Sequence, residues 1–403
     1  MDIKKRLEIK LGEIANNLLN SSLENKEIGV LGGISGNALF HFYYGRLKED
    51  QRHIDKGSDI IYEIFQRIEN GYSYPTFCDG IAGACWTLEL LKEEEFIDID
   101  EDIITEEVDL YLLEHMKKYI KSNDYDFLHG AIGIGFYFFK RYENALDNNS
   151  KKLYENYIVE LIKAILENAV REDNIIKWKT EINVGDNKFE GYNLGLAHGI
   201  PSIINFLSRL SAKSLVFKNI IAENIDFACN FLIASKNKGS EYLASYPNWF
   251  LTNEMKSENS RLAWCYGDLG VGYTILYTAC KGDNEVLEKF GIDVLNNTVK
   301  RKKLENSGVK DPGICHGAFG IMYIYHLLSL KTNNISFQEI SQHWAEIALE
   351  MAIHNEGIAG FMELNDKNWL RNDNLISGAS GIGLTILDYI NQSNSKWRQA
   401  LLL

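Results

Sequence analysis

The chain has 403 residues, 42 of them basic and 56 acidic, for a formal charge of −14. That balance, with no basic stripe, argues against a nucleic-acid partner, no apolar run reaches the ~18 residues of a membrane span, and the start Met1–Arg6 lacks the apolar core of a signal peptide. Only four prolines occur where average usage of about 5% would give roughly 20, and 45% of residues are hydrophobic, so long uninterrupted helices around a large core are expected.

Two kinds of segment alternate along the chain. A charged, amphipathic stretch at 2–20 precedes the turn Gly33-Ile34-Ser35-Gly36, and 53–69 precedes Gly80-Ile81-Ala82-Gly83. Stretch 101–121 leads to Gly130-Ala131-Ile132-Gly133, and 151–171 to Gly199-Ile200-Pro201-Ser202. Then 217–235 leads to Gly267-Asp268-Leu269-Gly270, 284–300 to Gly317-Ala318-Phe319-Gly320, and 337–354 to Gly378-Ala379-Ser380-Gly381. Each turn runs into a segment apolar almost all round, such as Ile321-Met322-Tyr323-Ile324-Tyr325, as expected of a helix buried on most faces. Within 151–171, Leu153, Tyr157, Leu161, Ile165 and Ala169 form the single stripe of an outer helix. Seven copies of one supersecondary unit predict about fourteen helices. An open solenoid needs polar end caps, and the first and last apolar helices are as apolar as the others. The expectation is therefore an all-α fold over residues 1–403 as one domain, a closed α/α toroid with seven inner and seven outer helices. The inner helices then all start at one end, where their N–H groups favour anions and thiolates.

Aligning the copies on their first glycine places polar chemistry at that mouth. One position before stand Gly32, Asp79, His129, His198, Tyr266, His316 and Ser377; two before stand Leu31, Cys78, Leu128, Ala197, Cys265, Cys315 and Ile376. Three of the six cysteines and three of the nine histidines fall in these two columns. In a cytoplasmic protein disulfides are disfavoured, so such cysteines are core residues, ligands or reactive thiols. Cys265, Cys315 and His316 are soft donors suited to zinc with one coordination position left open. Cys78, Asp79 and His129 are a rival cluster, and the repeat alone does not choose between them; nor does it exclude two small cysteines packing against crowded turns. Cys85, Cys229 and Cys280 lie in apolar helical stretches and read as core. His41, His53, His115, His326, His343 and His354 read as structural or solvated helix residues.

The motifs Gly195-Leu196-Ala197-His198-Gly199, Trp264-Cys265-Tyr266-Gly267 and Cys315-His316-Gly317, in that order, resemble the lanthionine synthetase C-like (LanC-like) cyclases over nearly the whole chain. That family is itself a seven-repeat α/α toroid. The resemblance implies one Zn2+ held by Cys265, Cys315 and His316, and catalytic roles for His198, Asp126, Arg261 and Tyr266. The length leaves room for the toroid alone, which implies a stand-alone cyclase of the nisin type. Such an enzyme carries a small accessory domain, for which this sequence offers only enlarged connectors. The implied substrate is a dehydrated lanthipeptide precursor, whose cysteine thiols add to dehydroalanine or dehydrobutyrine to give thioether rings. The implied partners are a dehydratase and an export transporter, through which the cytoplasmic enzyme sits peripherally at the inner membrane.

In that chemistry His198 protonates the α-carbon, Asp126 orients it, and Arg261 and Tyr266 stabilise the enolate oxygen. An ion pair between Asp126 and Arg261 is the structural alternative. The long connectors are expected to hold the peptide: Ile175–Tyr192 as a hairpin about Gly185-Asp186, and Tyr246–Phe250 and Phe361–Trp369 through exposed aromatics. Three other readings stay open at this level. One is a LanC-like enzyme adding glutathione to dehydrated residues in proteins; another is a prenyltransferase-type α/α barrel. The third, a helical-repeat scaffold, predicts no stoichiometric metal.

Overall fold

The computed structural model describes residues 2–98, 104–184, 187–252, 254 and 256–403. In chain order come α1 (Ile3–Leu19), α2 (Ser35–Lys48), α3 (Gln51–Glu69), α4 (Ile81–Glu93), α5 (Glu106–Lys121), α6 (Ala131–Asn144) and α7 (Asn148–Glu167). The strands β1 (Val170–Glu172), β2 (Ile175–Lys177), β3 (Thr180–Val184) and β4 (Asn187–Asn193) precede α8 (Ile200–Ser211) and α9 (Leu215–Ala234). After β5 (Trp249–Leu251) follow α10 (Asp268–Gly282), α11 (Glu285–Thr298), the single turn α12 (Leu304–Ser307), α13 (Ala318–Thr332) and α14 (Ile335–Glu350). The hairpin β6 (Glu363–Asn365) and β7 (Asn368–Leu370) then leads to α15 (Ala379–Asn391) and a terminal 3-10 turn, Lys396–Leu401. The seven helices after the glycine turns and their seven amphipathic companions are thus present. Among the described residues no helix is long and apolar enough to cross a membrane.

Close approach of backbone carbonyls explains the turn glycines. A Cβ on Gly80, Gly130, Gly199, Gly267 or Gly378 would lie 2.2–2.8 Å from the carbonyl oxygen six residues back, that of Tyr74, Asp124, Asn193, Arg261 or Asn372. The second glycines repeat this one turn later: a Cβ on Gly83, Gly320 or Gly381 would come within 1.8–1.9 Å of the Phe77, Ile314 or Leu375 carbonyl. The chain therefore folds flat onto itself before entering the helix, and only glycine permits it. The same carbonyls cap the helix starts, since Ile81, Ala131 and Ala379 donate their N–H to Tyr74, Asp124 and Asn372 at 2.8–3.1 Å. In four copies an Asp or Asn begins the turn and accepts the N–H two residues on: Asp124 from Asp126, Asn193 from Gly195, Asp311 from Gly313 and Asn372 from Asn374.

The helices group into two compact units. The first holds α1–α4 and α13–α15. Within it α13 packs on α15, α15 on α2 and α2 on α4, while α3 pairs with α2 and α14 with α13. α1 packs mainly on α15, so the first helix of the chain completes the last repeat. The natural hairpin is therefore an apolar helix with the amphipathic helix that follows it, not the one before it. Backbone N–H groups hand the turns from copy to copy: Ile314 and Cys315 donate to Ile376 O, Leu375 and Ile376 to Leu31 O, and Leu31 and Gly32 to Cys78 O.

The second unit holds α5–α12 and β1–β5. There α6 packs on α8 and α8 on α10, with α7, α9 and α11 as their partners, and Ala197 donates to Cys265 O by the same rule. The stripe of α7 is Tyr154, Ile158, Leu161, Ile162 and Ile165, not the every-fourth set anticipated; Leu153 is exposed, because a buried face follows 3.6 rather than 4 residues per turn. The enlarged connectors carry a sheet of order β3-β4-β5 and the hairpin β1-β2, more strands than the single Ile175–Tyr192 hairpin expected. The β3–β4 hairpin is present, Val184 pairing with Asn187, while Gly185-Asp186 lies outside the described residues.

Candidate active site

In the second unit the turn before α6 carries Asp126, and the turn before α8 carries His198. Their side chains meet, His198 Nδ1 lying 2.6 Å from Asp126 Oδ2. Oδ1 of the same carboxylate accepts the N–H groups of Leu128 and His129 at 2.7 and 2.8 Å, which locks the carboxylate to its own turn. Burial disfavours the charged forms of both partners. Their mutual hydrogen bond and opposite charges outweigh it, so Asp126 is held below the usual carboxylate range and His198 above the usual imidazole range. Cys265 and Asp124 push His198 the same way.

The His129 ring stacks on that of His198, with centroids 6.0 Å apart. Tyr266 is also close, its ring centroid 6.2 Å from that of His198 and 6.3 Å from that of Trp249. Asn193, at the end of β4, donates to the Tyr266 hydroxyl at 3.2 Å. Asn193 was not expected here from its local sequence, whereas Trp249 belongs to the Tyr246–Phe250 segment expected to border the mouth. Arg261 is exposed at the start of the Cys265 turn, and among the described residues no ion pair joins it to Asp126. A Cβ on Gly195 would strike Tyr266 and the Cys265 carbonyl, so the glycine makes room for the neighbouring turn.

The Cys265–Tyr266 turn is anchored from below. Gly267 has φ +84°, a left-handed conformation that favours glycine, and Asp268 follows it wholly buried. Asp268 accepts the N–H groups of Ser245 and Tyr246, both at 2.9 Å, and lies 3.7 Å from the buried Arg301 guanidinium. Arg301 in turn donates to Ser260 O at 2.6 Å. Burial nonetheless pushes the Asp268 carboxyl up to about 6. One carboxylate thus ties the segment before β5 to the turn that presents Cys265.

A cavity of about 80 Å³ is bounded by Asp124, Asp126, Trp178, Asn193 and His198. It shares Asn123–Tyr125 and Trp178–Thr180 with a groove of about 730 Å³ that runs along β3 and β4. The connector aromatics behave differently from expectation. Tyr246, Phe250 and Phe361 are buried, because their loops fold onto the helices, and only Trp369 is exposed, beside His354. His354 itself lies past the end of α14, and Cys280 is half-buried rather than core.

In the first unit the turn before α13 presents Cys315 and His316, both half-buried, with His316 Nε2 3.3 Å from Asp311 Oδ2. The turn before α4 presents Cys78 and Asp79, whose backbone carbonyls accept the N–H groups of Gly32 and Gly29.

A model of the lanthionine synthetase C-like proteins matches residues 26–402. The chain belongs to the LanC-like family. The nisin biosynthesis protein NisC of Lactococcus lactis subsp. lactis is 25% identical over 321 residues, covering 75% of this chain and 69% of that protein. A solved structure of nisin cyclase matches with a TM-score of 0.71 at 19% identity, over 99% of this chain and 97% of that one. That likeness shows the helical fold class expected from the repeats. Membership of the LanC-like family also agrees with the three motifs, all of which lie inside the matched residues.

Proposed function

We propose that this LanC-like chain is a thioether-forming lanthionine cyclase, acting on dehydrated precursor peptides. The observation that carries the reading is the hydrogen-bonded His198–Asp126 pair, close to Tyr266 and lining a cavity continuous in its residues with a groove large enough for a peptide strand. The family's zinc fits the donors present: two thiols, Cys265 and Cys315, and the imidazole of His316 are what Zn2+ favours, and three protein ligands leave a position for substrate. When bound, the ion supplies a Lewis acid that lets a substrate cysteine exist as thiolate at neutral pH.

The chain's residues do the rest. The new bond joins the thiol sulfur to the β-carbon, and the alkene π pair moves onto the α-carbon and its carbonyl as an enolate. His198, bonded through Nδ1 to Asp126, carries its transferable proton on the other ring nitrogen and delivers it to the α-carbon. The proton lost by the thiol restores the acid, so the addition is balanced. The Tyr266 hydroxyl, oriented by Asn193, and Arg261 donate to the enolate oxygen. A dehydratase supplies the substrate and an exporter removes the product, placing the cyclase at the cytoplasmic face of the membrane.

The test is direct. The purified chain with zinc and a dehydrated Ser/Thr/Cys-containing precursor should protect cysteine thiols from alkylation, read by mass spectrometry. Thiols that remain as reactive as in the enzyme-free control would overturn the reading. Cys315→Ala should abolish protection while the helical circular-dichroism signal persists.

A further inference from the structure

We propose that Asp311 is the positioning residue of the zinc site: it selects the tautomer of His316 and leaves Nδ1 as the donor nitrogen. The inference rests on the reading that His316 is a zinc ligand. Asp311 is buried, with only 2% of its surface exposed, and each of its oxygens is engaged. Oδ1 accepts the Gly313 N–H at 2.9 Å, and the backbone carbonyl accepts the Ala318 N–H at 3.0 Å, capping α13. A Cβ on Gly317 would come 2.5 Å from Oδ1, so the whole turn is closed around this carboxylate. Oδ2 is left to face His316 Nε2 at 3.3 Å.

The other copies show what is special here. Asn193 and Asn372 start equivalent turns and accept the same N–H two residues on, so the turn itself asks only for one side-chain oxygen. Copy six combines a carboxylate at that position with a histidine immediately before the first glycine, its ring nitrogen 3.3 Å from the carboxylate. In copy three, where Asp124 and His129 hold the same two places, His198 is the histidine that engages a carboxylate, through Asp126. An ionised carboxylate only accepts, so with Oδ2 3.3 Å away the proposed arrangement places the proton on Nε2 and keeps the Nδ1 lone pair for an electrophile. A carboxylate behind a ligating imidazole fixes ring orientation in this way, and its loss costs roughly 10- to 100-fold in metal affinity.

Asp311→Asn separates the two jobs. Its amide oxygen still accepts from Gly313, but its NH2 group opposes Nε2–H and favours the wrong tautomer. Zinc affinity, measured by chelator competition on the whole chain, should fall about 10- to 100-fold, with thermal melting of the zinc-free protein close to that of the parent. Asn372→Ala, which loosens the equivalent turn of copy seven, should leave zinc affinity unchanged. Equal affinity in parent and Asp311→Asn overturns the proposal, as does equal weakening by Asn372→Ala. If the parent binds no zinc, the ligand reading fails and this inference falls with it. An independent readout needs no variant: two-bond 1H–15N spectra of the zinc-free parent at pH 8 should show His316 as the Nε2–H tautomer, and an Nδ1–H tautomer overturns the assignment.

Discussion

The Asp126 carboxylate faces His198 with one oxygen, at 2.6 Å, and its own turn with the other, receiving the N–H groups of Leu128 and His129. The proposed acid and the turn geometry therefore depend on one side chain.

Asp126→Asn keeps an oxygen for the two backbone N–H groups but removes the charge that raises His198. Cyclisation should slow by about 10²–10⁴. The parent's rate should fall as pH rises through the elevated pKa of His198, where the acid loses its proton. In Asp126→Asn that alkaline limb should move to lower pH, because the imidazolium has lost its stabilising anion. A limb that stays in place shows that His198 is not the titrating acid. The measurement is the pH profile of ring closure.

A second titration belongs to stability alone. His41 on α2 and His53 on α3 are buried with their Nδ1 atoms 2.8 Å apart, so one must donate and the other accept. Burial, then the charges of His53 and Lys56, depress His41 to about 3. The neutral form is the folded form, so stability is full above the ordinary imidazole pKa of about 6.5 and is lost as pH falls from there toward 3. At pH 5 the loss is about 2 kcal/mol. Denaturant unfolding between pH 7 and 5 should show it, and His41→Phe should flatten the dependence.

Asp388 of α15 is fully buried and accepts from Tyr323 Oη at 2.6 Å, Trp397 Nε1 at 3.1 Å, Ser393 Oγ at 2.8 Å and Ser395 Oγ at 2.5 Å. Asp388→Ala leaves several buried donors unsatisfied and should cost about 3 kcal/mol or more in unfolding free energy.

Gly→Ala should have opposite signs at two places. At Gly320, a Cβ would stand 1.9 Å from the Ile314 carbonyl, and the substitution should destabilise by about 2 kcal/mol or more. At Gly12, mid-helix in α1 with open space around it, the same change should stabilise by up to about 1 kcal/mol. Thermal melts of the two variants give the comparison.

The repeats were legible because six of the seven turns place two glycines three residues apart, where carbonyls six residues back crowd the chain; in the fourth turn Ser202 takes the second place. The columns holding His198, Cys265, Cys315 and His316 were legible for the same reason. The column six residues before the first glycine was not read, although Asp124, Asn193, Asp311 and Asn372 stand in it: an Asx turn is satisfied by either residue, so it leaves a weak trace. Asn193 reaches Tyr266 from β4, paired with the Trp249 strand of the expected Tyr246–Phe250 segment, and strand pairing across a long connector has no local signature. Tyr246 and Phe250 looked exposed because their neighbours are polar, yet the loop folds over its aromatics.

The pairing of α1 with α15 bears on synthesis order. α1 is synthesised before the other helices of its unit, and its apolar stripe of Leu7, Leu11, Ile14, Ala15 and Leu18 has its chief partner in α15, made after them. Every other amphipathic helix of that unit after α1 packs on an apolar helix already made. During translation the N-terminal helix is therefore the exposed, chaperone-seeking surface, and its capture is the event that completes the first unit.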